Sequence, residues 1–514
     1  MALGNQDTSG EGEKVRLSLP VVSVKEKILL AVMSLAAVFL LFYNLDNQYL
    51  WQDEAQTALI SKTILTKGIP LATDGLNNFS QELGRDYEKG TYIFKWHPWL
   101  SYYVTALSFK VLGVSTFSAR FPHVLFGLFT IFLLYFFVRA NTGSVQTAFL
   151  AVWLAMTSPA FFIMAKQCRY YSMIMFFTLL CVNEYLASVK GERRNFLGMA
   201  ACLAALYYTQ SVYAAITGAA ILAHWLLYSR KSAVKIAAAF AGAVLACVPW
   251  LLYSRVEGFK EAYPNIMKLG NFIDFMPRYI SGSVNQIYTL AAALIVSLYY
   301  VFSKSGNKLK EYSGIITLFV FYFAALMFCL SFFTVGVFFR YMSPLLILSP
   351  VFLAFLLFPM VKVKYVNIAV LLVLLLPLWQ FKDYVYEITH DFNSPSKGFV
   401  GFLREKAKPG DIVAITYGDL PLKFYLDRVR IIGGLTGEDL SKEITQAKFV
   451  IFRKYYVALD RELAAYFRNN LNINDYKPWQ INSPDTKYDN RENPSMHIYR
   501  TVKDEDNIVV WVKK

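Results

Sequence analysis

The chain has 514 residues, of which 56% are hydrophobic, 17% aromatic and only 17% charged. Soluble domains carry about 25% charged residues, so this composition excludes a soluble globular protein and indicates a polytopic membrane protein. The net charge of +15 does not mark a nucleic-acid binder. Much of the Lys and Arg lies in short loops between apolar runs, as in Lys190-Gly191-Glu192-Arg193-Arg194 and Arg230 to Lys235, the positions that face the cytoplasm.

In chain order, residues 1–23 are polar and are expected to be a disordered cytoplasmic N-terminus. The apolar run that follows has no small-residue cleavage site and reads as an uncleaved first span. About eleven spans are expected by length and apolarity, at roughly 27–45, 118–138, 145–164, 171–188, 196–211, 213–228, 234–252, 284–302, 313–333, 341–359 and 365–381. With the N-terminus inside, the inward loops hold Lys25 and Lys27, Arg139, Lys190 to Arg194, Arg230 to Lys235, Lys304 to Lys310, and Lys362 with Lys364. The outward loop near Gln210 is nearly uncharged. Trp96 to Leu112 is apolar too, but a crossing there would place the basic clusters outside. Its His97, Pro98, Lys110 and aromatic row fit a helix lying in the outer interface, or a re-entrant one. The first outer loop then runs over 46–117, within a membrane domain spanning 24–385.

The segment from Arg255 to Ser283, with Lys260, Lys268 and Arg278, reads as a solvated basic loop. Residues 397–514 are polar and charged. They carry strand-like runs at Asp411 to Thr416 and Lys448 to Phe452, and helix-like stretches at 441–448 and 458–468. An α/β domain is expected there, outside the cytoplasm, with Gly433-Gly434 as a turn. The five cysteines sit in or beside apolar runs without CxxC spacing, which fits packing residues rather than a disulfide frame or metal site.

Unusual charges gather at the outward ends of the spans. Asp53 and Glu54 follow the first span in Trp51-Gln52-Asp53-Glu54-Ala55-Gln56, a position that also suits acidic residues in a first helical turn. Lys95 and His97 flank Trp96. Lys166-Gln167-Cys168-Arg169-Tyr170-Tyr171 and Arg340-Tyr341 place positive charge against the inside bias. Such groups face a cavity and meet a counter-charge, either an anionic lipid phosphate or the Asp53-Glu54 pair. Acids and bases at one membrane face suit transfer of a sugar from a polyprenyl phosphate. Arg or Lys holds the leaving phosphate, and a carboxylate takes a proton from the acceptor hydroxyl. That chemistry requires no cofactor, nucleotide or metal on that face.

These residues also resemble a known family. Asp53-Glu54-Ala55, His97-Pro98-Trp99-Leu100-Ser101-Tyr102-Tyr103, Phe117-Ser118-Ala119-Arg120-Phe121-Pro122 with Leu125-Phe126-Gly127-Leu128, Ser158-Pro159 and Arg169-Tyr170-Tyr171-Ser172 are similar, in that order, to motifs of the GT-C fold membrane glycosyltransferases. The branch is the dolichyl-phosphate-mannose–protein mannosyltransferase and aminoarabinose transferase superfamily. The resemblance implies an all-α membrane domain of GT-C type with a small C-terminal extracytoplasmic α/β domain. It also implies inverting transfer from a polyprenyl-phosphate-linked sugar donor.

By that pattern Asp53 is the general base, and Glu54 supports it or orients the acceptor. Lys95, His97, Arg169 and Arg340 are candidates for the donor phosphate, with Trp51, Tyr171 and Tyr341 in the substrate pocket. Trp99 replaces the family's second proline, and Lys166 and Cys168 replace more typical neighbours of Arg169. No lectin-like repeat appears in 397–514, which points to a bacterial or archaeal plasma-membrane enzyme with a glycan, lipid or protein acceptor. The alternative is a transporter or flippase of a lipid-linked or anionic solute. Such proteins place charges at mid-membrane in repeated halves, and here the midplane is almost uncharged.

Overall fold

A computed structural model of the protein describes residues 23–514 apart from 190–194, 229–231, 255–266, 303–308, 311, 361–373, 376, 434–435, 437–440, 455–460, 487–496 and 504–505. The expected N-terminal disorder, the basic cluster at 190–194 and most of the expected span at 365–381 therefore lie outside the described residues.

Ser23 opens helix α1 (Val24–Phe42), its side-chain oxygen accepting from the Glu26 N–H at 3.2 Å, as an otherwise unpaired first turn requires. After the charged first turn the helix is apolar. Ile28, Leu29, Val32, Leu35 and Phe39 are exposed, whereas Ala37 and Leu41 are fully buried. One side packs on protein and the other presents the kind of continuous apolar surface that lipid covers.

Helices α2 (Gln52–Lys67) and α3 (Leu100–Leu112) lie in the long first loop. Between them, isolated β-bridges pair Leu71 with Ile93, Thr73 with Asn78, and Tyr87 with Phe94. With 13 residues, α3 reaches only about 20 Å, short of a hydrocarbon core of about 30 Å. Its length fits the interfacial reading.

The bundle continues with α4 (Thr116–Thr142), α5 (Val145–Met156), α6 (Pro159–Ala165), α7 (Tyr171–Val189), α8 (Asn195–Thr209), α9 (Ser211–Leu227) and α10 (Ala233–Ser254), then α11 (Leu269–Gln286), α12 (Tyr288–Phe302), α13 (Ser313–Phe333) and α14 (Leu345–Leu357). Among the described residues, length and apolarity alone qualify four helices as spans, or up to six if each bent pair is one span. Helix length among the described residues alone does not confirm the expected count of about eleven. The runs at 196–211, 213–228 and 341–359 become helices of 15, 17 and 13 residues, because Gln210 breaks one pair and a 3-10 turn at Phe339–Met342 precedes the third.

Two further expectations change. The run at 145–164 bends by 71° between α5 and α6, where Ser158-Pro159 restarts the helix. The supposed basic loop up to Ser283 is instead occupied from Leu269 by the amphipathic α11, which meets α12 at 96°; the expected span at 284–302 begins only at Tyr288. All of α14 is buried, placing it at the bundle's centre. At Gly127 a side chain has no room: an added Cβ would lie 2.9 Å from the Ala165 Cβ, so α4 and α6 meet almost backbone to backbone.

After α15 (Leu378–Thr389) and α16 (Pro395–Lys406) comes a five-stranded sheet of order β2-β1-β3-β5-β4. Its strands are β1 (Ile412–Ile415), β2 (Arg430–Ile432), β3 (Phe449–Ile451), β4 (Tyr476–Pro484) and β5 (Asn507–Lys513). Strand β1 pairs in parallel with β2 and β3, and β5 pairs antiparallel with β3 and β4. Val413 and Ile415 pack on one face and Ala414 on the other, so the parallel strands read as continuous apolar runs and are visible in the sequence. Strand β4 is at the sheet edge and contains Pro478, a residue that edge strands tolerate, and its polar composition hides it. Helices α17 (Asp419–Tyr425), α18 (Ser441–Ile444) and α19 (Arg461–Asn470) complete this part.

Gly127→Leu is expected to lower thermal stability in detergent by the equivalent of about 1–3 kcal/mol, the usual effect of overpacking. Thermal melts of purified protein test this; an unchanged melting temperature would show that α4 and α6 can separate freely.

Candidate active site at the start of the second helix

Helix α2 begins at Gln52, so Asp53 and Glu54 occupy its first turn, where the helix dipole favours negative charge. Consecutive helical residues point about 100° apart. The two carboxylates therefore enter different surroundings.

Glu54 is fully buried. Its Oε1 accepts from Arg120 Nε at 2.8 Å and from the Cys168 N–H at 2.7 Å, and its Oε2 accepts from Arg120 Nη2 at 2.7 Å. Arg120 Nη1 donates to the Leu45 and Gln48 carbonyls at 2.9 and 2.8 Å. Glu54 is thus fully buried with both oxygens claimed by donors, and the pair lines a small cavity. Glu54, expected to support Asp53 or to orient the acceptor, is held by Arg120 and the Cys168 N–H.

Asp53 is different. Its side chain keeps 15% exposure, and its Oδ2 lies 3.2 Å from Arg340 Nη1 and 3.7 Å from Arg169 Nη2. Among the described residues no hydrogen bond is formed to its Oδ1. Arg169 Nη1 also donates to the Thr57 hydroxyl at 3.0 Å and to the Asp53 carbonyl at 3.2 Å, while its Nε has no partner among the described residues. Arg340 lies over the rings of Phe338 and Tyr341, 4.5 and 5.5 Å from their centroids, a cation–π arrangement that fixes its side chain. Among the described residues, the guanidinium groups of Arg120, Arg169 and Arg340 gather around the carboxylates of Glu54 and Asp53.

The other expected residues divide. His97 is close to this cluster, its ring edge-on to Tyr170 at 5.7 Å and its Nδ1 3.4 Å from the Gln210 amide. Burial first, and then the charges of Arg169 and Arg340, push its pKa down to about 3. It is a neutral imidazole and cannot supply charge to a phosphate. Lys95 is elsewhere: its ammonium pairs with Glu88 at 2.9 Å and lies 4.5 Å from the Tyr253 ring centroid. Tyr171 is buried beside Tyr170 at 4.9 Å. The Tyr341 carbonyl accepts from the Tyr213 hydroxyl at 2.9 Å. Trp51 lines a cavity of about 60 Å³ behind the Glu54–Arg120 pair, with Gln48, Lys166 and Glu387. Burial lowers the Lys166 pKa to about 8.

Arg120 is the site residue that sequence reasoning missed. It carries the same signal that singles out Arg169 and Arg340, a positive charge at the outer end of an apolar run. Thr57 carried no such signal.

A family model described as dolichyl-phosphate-mannose-protein mannosyltransferase matches residues 96–253. An uncharacterized protein of Aquifex aeolicus (strain VF5) is 26% identical over 262 residues, covering 49% of this chain and 46% of that relative, so the match spans about half of each. ArnT from Cupriavidus metallidurans bound to undecaprenyl phosphate superposes with a TM-score of 0.56 at 13% identity, over 94% of this chain and 98% of that one. Its apo state gives 0.55 at 13% identity, over 95% and 98%. The chain is thus similar to GT-C fold membrane glycosyltransferases, in sequence over residues 96–253 and in fold over nearly its whole length.

Arg120→Leu strands a buried carboxylate and is expected to destabilise the protein by about 3–5 kcal/mol, whereas Glu54→Leu with Arg120→Leu recovers most of that loss. Melting temperatures of the three variants decide it; equal losses in single and double variants would contradict the pairing. A second expectation concerns pH. His97 has a folded pKa of about 3 against 6.5 when unfolded, so the unfolded state binds more protons between these values. Stability from this group is complete above pH 6.5 and falls as pH drops below it. His97→Gln should therefore remove the part of the acid-induced fall in melting temperature that precedes carboxylate titration. An unchanged profile would show that His97 titrates normally.

Proposed function

We propose that the protein is a multi-pass membrane glycosyltransferase that moves a sugar from a polyprenyl-phosphate donor to an acceptor hydroxyl, with inversion and with Asp53 as general base. The observation that carries this reading is the convergence of Asp53, Arg169 and Arg340, which are far apart in sequence, at one partly open point. The fold likeness to a protein holding undecaprenyl phosphate supports the donor class.

In the proposed reaction the acceptor oxygen forms a bond to the anomeric carbon from the face opposite the phosphate. The carbon–oxygen bond to the phosphate breaks, and the bonding pair leaves with the polyprenyl phosphate. The acceptor proton passes to Asp53 Oδ1. Arg340 and Arg169 stabilise the charge that grows on the leaving phosphate, where oriented donors in a dry site are most effective. His97 is assigned to shape the pocket as a neutral group. Lys95, paired with Glu88, is assigned to the rim rather than to the phosphate.

Extended to the whole chain, the reading places residues 24–385 in the plasma membrane of a bacterium or archaeon. Residues 397–514 and the site lie on the extracytoplasmic side, and the acceptor is a glycan, lipid or protein.

Sugar transfer by purified protein from a panel of polyprenyl-phosphate sugars tests the reading. Asp53→Asn is expected to reduce transfer by about 10²–10⁴-fold, the range for losing a general base, while donor binding is retained. Full activity in that variant would sink the assignment of the base, and binding without turnover in wild type would favour a transporter.

A further inference from the structure

Helix α17 of the C-terminal part packs directly on α2 and contributes a charged pair that is almost sealed from water. The side chains of Asp419 and Lys423 are 3% and 0% exposed, and their ion pair is 2.6 Å long. Asp419 Oδ1 accepts from the Gln52 side-chain amide at 2.7 Å, and Lys423 Nζ donates to the Asn78 carbonyl at 2.7 Å. The Gln52 side-chain Oε1 in turn accepts from the Leu420 N–H at 3.4 Å. Every strong polar end of this group is thus directed at the first loop.

The chain around the pair is shaped to admit it. A Cβ at residue 433 would lie 2.3 Å from the Asp419 Cγ, so only glycine leaves room for that carboxylate. Two further ties act nearby. The Leu50 N–H donates to the Tyr425 hydroxyl at 2.9 Å, and that hydroxyl lies 2.7 Å from Thr116 Oγ1 at the start of α4. The Asn77 amide bonds both to the Ile431 N–H at 2.8 Å and to the Val429 carbonyl at 3.1 Å, at strand β2.

A buried ion pair is a poor device for stability alone, since apolar residues of similar volume do as well. This one acts on the residue immediately before Asp53. We propose that Gln52, held by the Asp419–Lys423 pair, is a positioning residue: it fixes the first turn of α2 so that Asp53 meets Arg169 and Arg340. The C-terminal part is then a component of the active site, although it supplies no group that touches the reacting atoms. This rests on Asp53 being the general base, as proposed above. A misplacement of about 1 Å in such a site costs about 10²-fold in rate, so a clamp one residue away has leverage.

The test uses full-length protein carrying Gln52→Met, which keeps the volume and removes both bonds without adding charge. Tyr425→Phe, which keeps the ring and removes its ties, is measured beside it. Both are expected to lower kcat by at least about ten-fold, within the sensitivity of such sites to misplacement, with donor KM changed by less than two-fold. Amide hydrogen exchange is expected to speed up at residues 52–57 and stay unchanged in the sheet. Gln52→Glu opposes Asp419 with a second carboxylate, and the two can share one proton on acidification. Its kcat relative to wild type should therefore rise as pH falls, a response that a merely structural contact would not give. Unchanged exchange at 52–57 in Gln52→Met overturns the clamp; faster exchange with wild-type kcat overturns its positioning role. If wild type transfers no sugar from any donor, the glycosyltransferase reading fails, and the exchange data still decide the clamp.

Discussion

Glu54 imposes the constraint around which the outer face is organised. An ionised carboxylate without water contact costs several kcal/mol unless its oxygens are claimed by charged or N–H donors. Arg120 and the Cys168 amide claim them here. Because Arg120 also gathers the Leu45 and Gln48 carbonyls, one pair ties together the end of the first helix, the start of α2, the first turn of α4 and the turn before α7. Asp53 and Arg169 project from two of these segments, and Arg340 reaches Asp53 from the 3-10 turn at Phe339–Met342.

With Glu54 committed inward, helical phase directs Asp53 into the space between Arg169 and Arg340. The division of labour between adjacent carboxylates thus follows from geometry. One is fully buried and paired; the other is partly exposed and, among the described residues, is held through one oxygen by Arg169 and Arg340. Burial first, and then the nearby guanidinium groups of Arg169 and Arg340, oppose protonation of His97. A neutral ring there leaves the arginines as the charges an anion would meet.

Much of this was legible in the sequence, for definite reasons. Arg169 and Arg340 stand out because positive charge at an outer helix end opposes the inside bias, and Asp53-Glu54 because acids there need a purpose. Strands β1 and β3 show as continuous apolar runs. What was not legible depends on direction and partners. Adjacent acids look equivalent in a string, so the separate fates of Asp53 and Glu54 emerge only with helical phase and Arg120. Lys95 looks like a free cation until Glu88, seven residues earlier, folds back to it. Apolar runs report lipid exposure and buried protein alike, so the fully buried α14 and the bent α5–α6 pair counted as ordinary spans. Asp419 and Lys423 carry no signal at all, since a charged i,i+4 pair normally lies on a solvated helix face.

The most direct measurement is an experimental structure of the protein with polyprenyl phosphate bound. The expected result places the phosphate within hydrogen-bond distance of Arg340 or Arg169, with Asp53 Oδ1 open toward the acceptor side and Glu54 still bound to Arg120. A phosphate bound at Lys95 and remote from Asp53, or a Glu54 released from Arg120 to meet the ligand, would contradict the arrangement of the site.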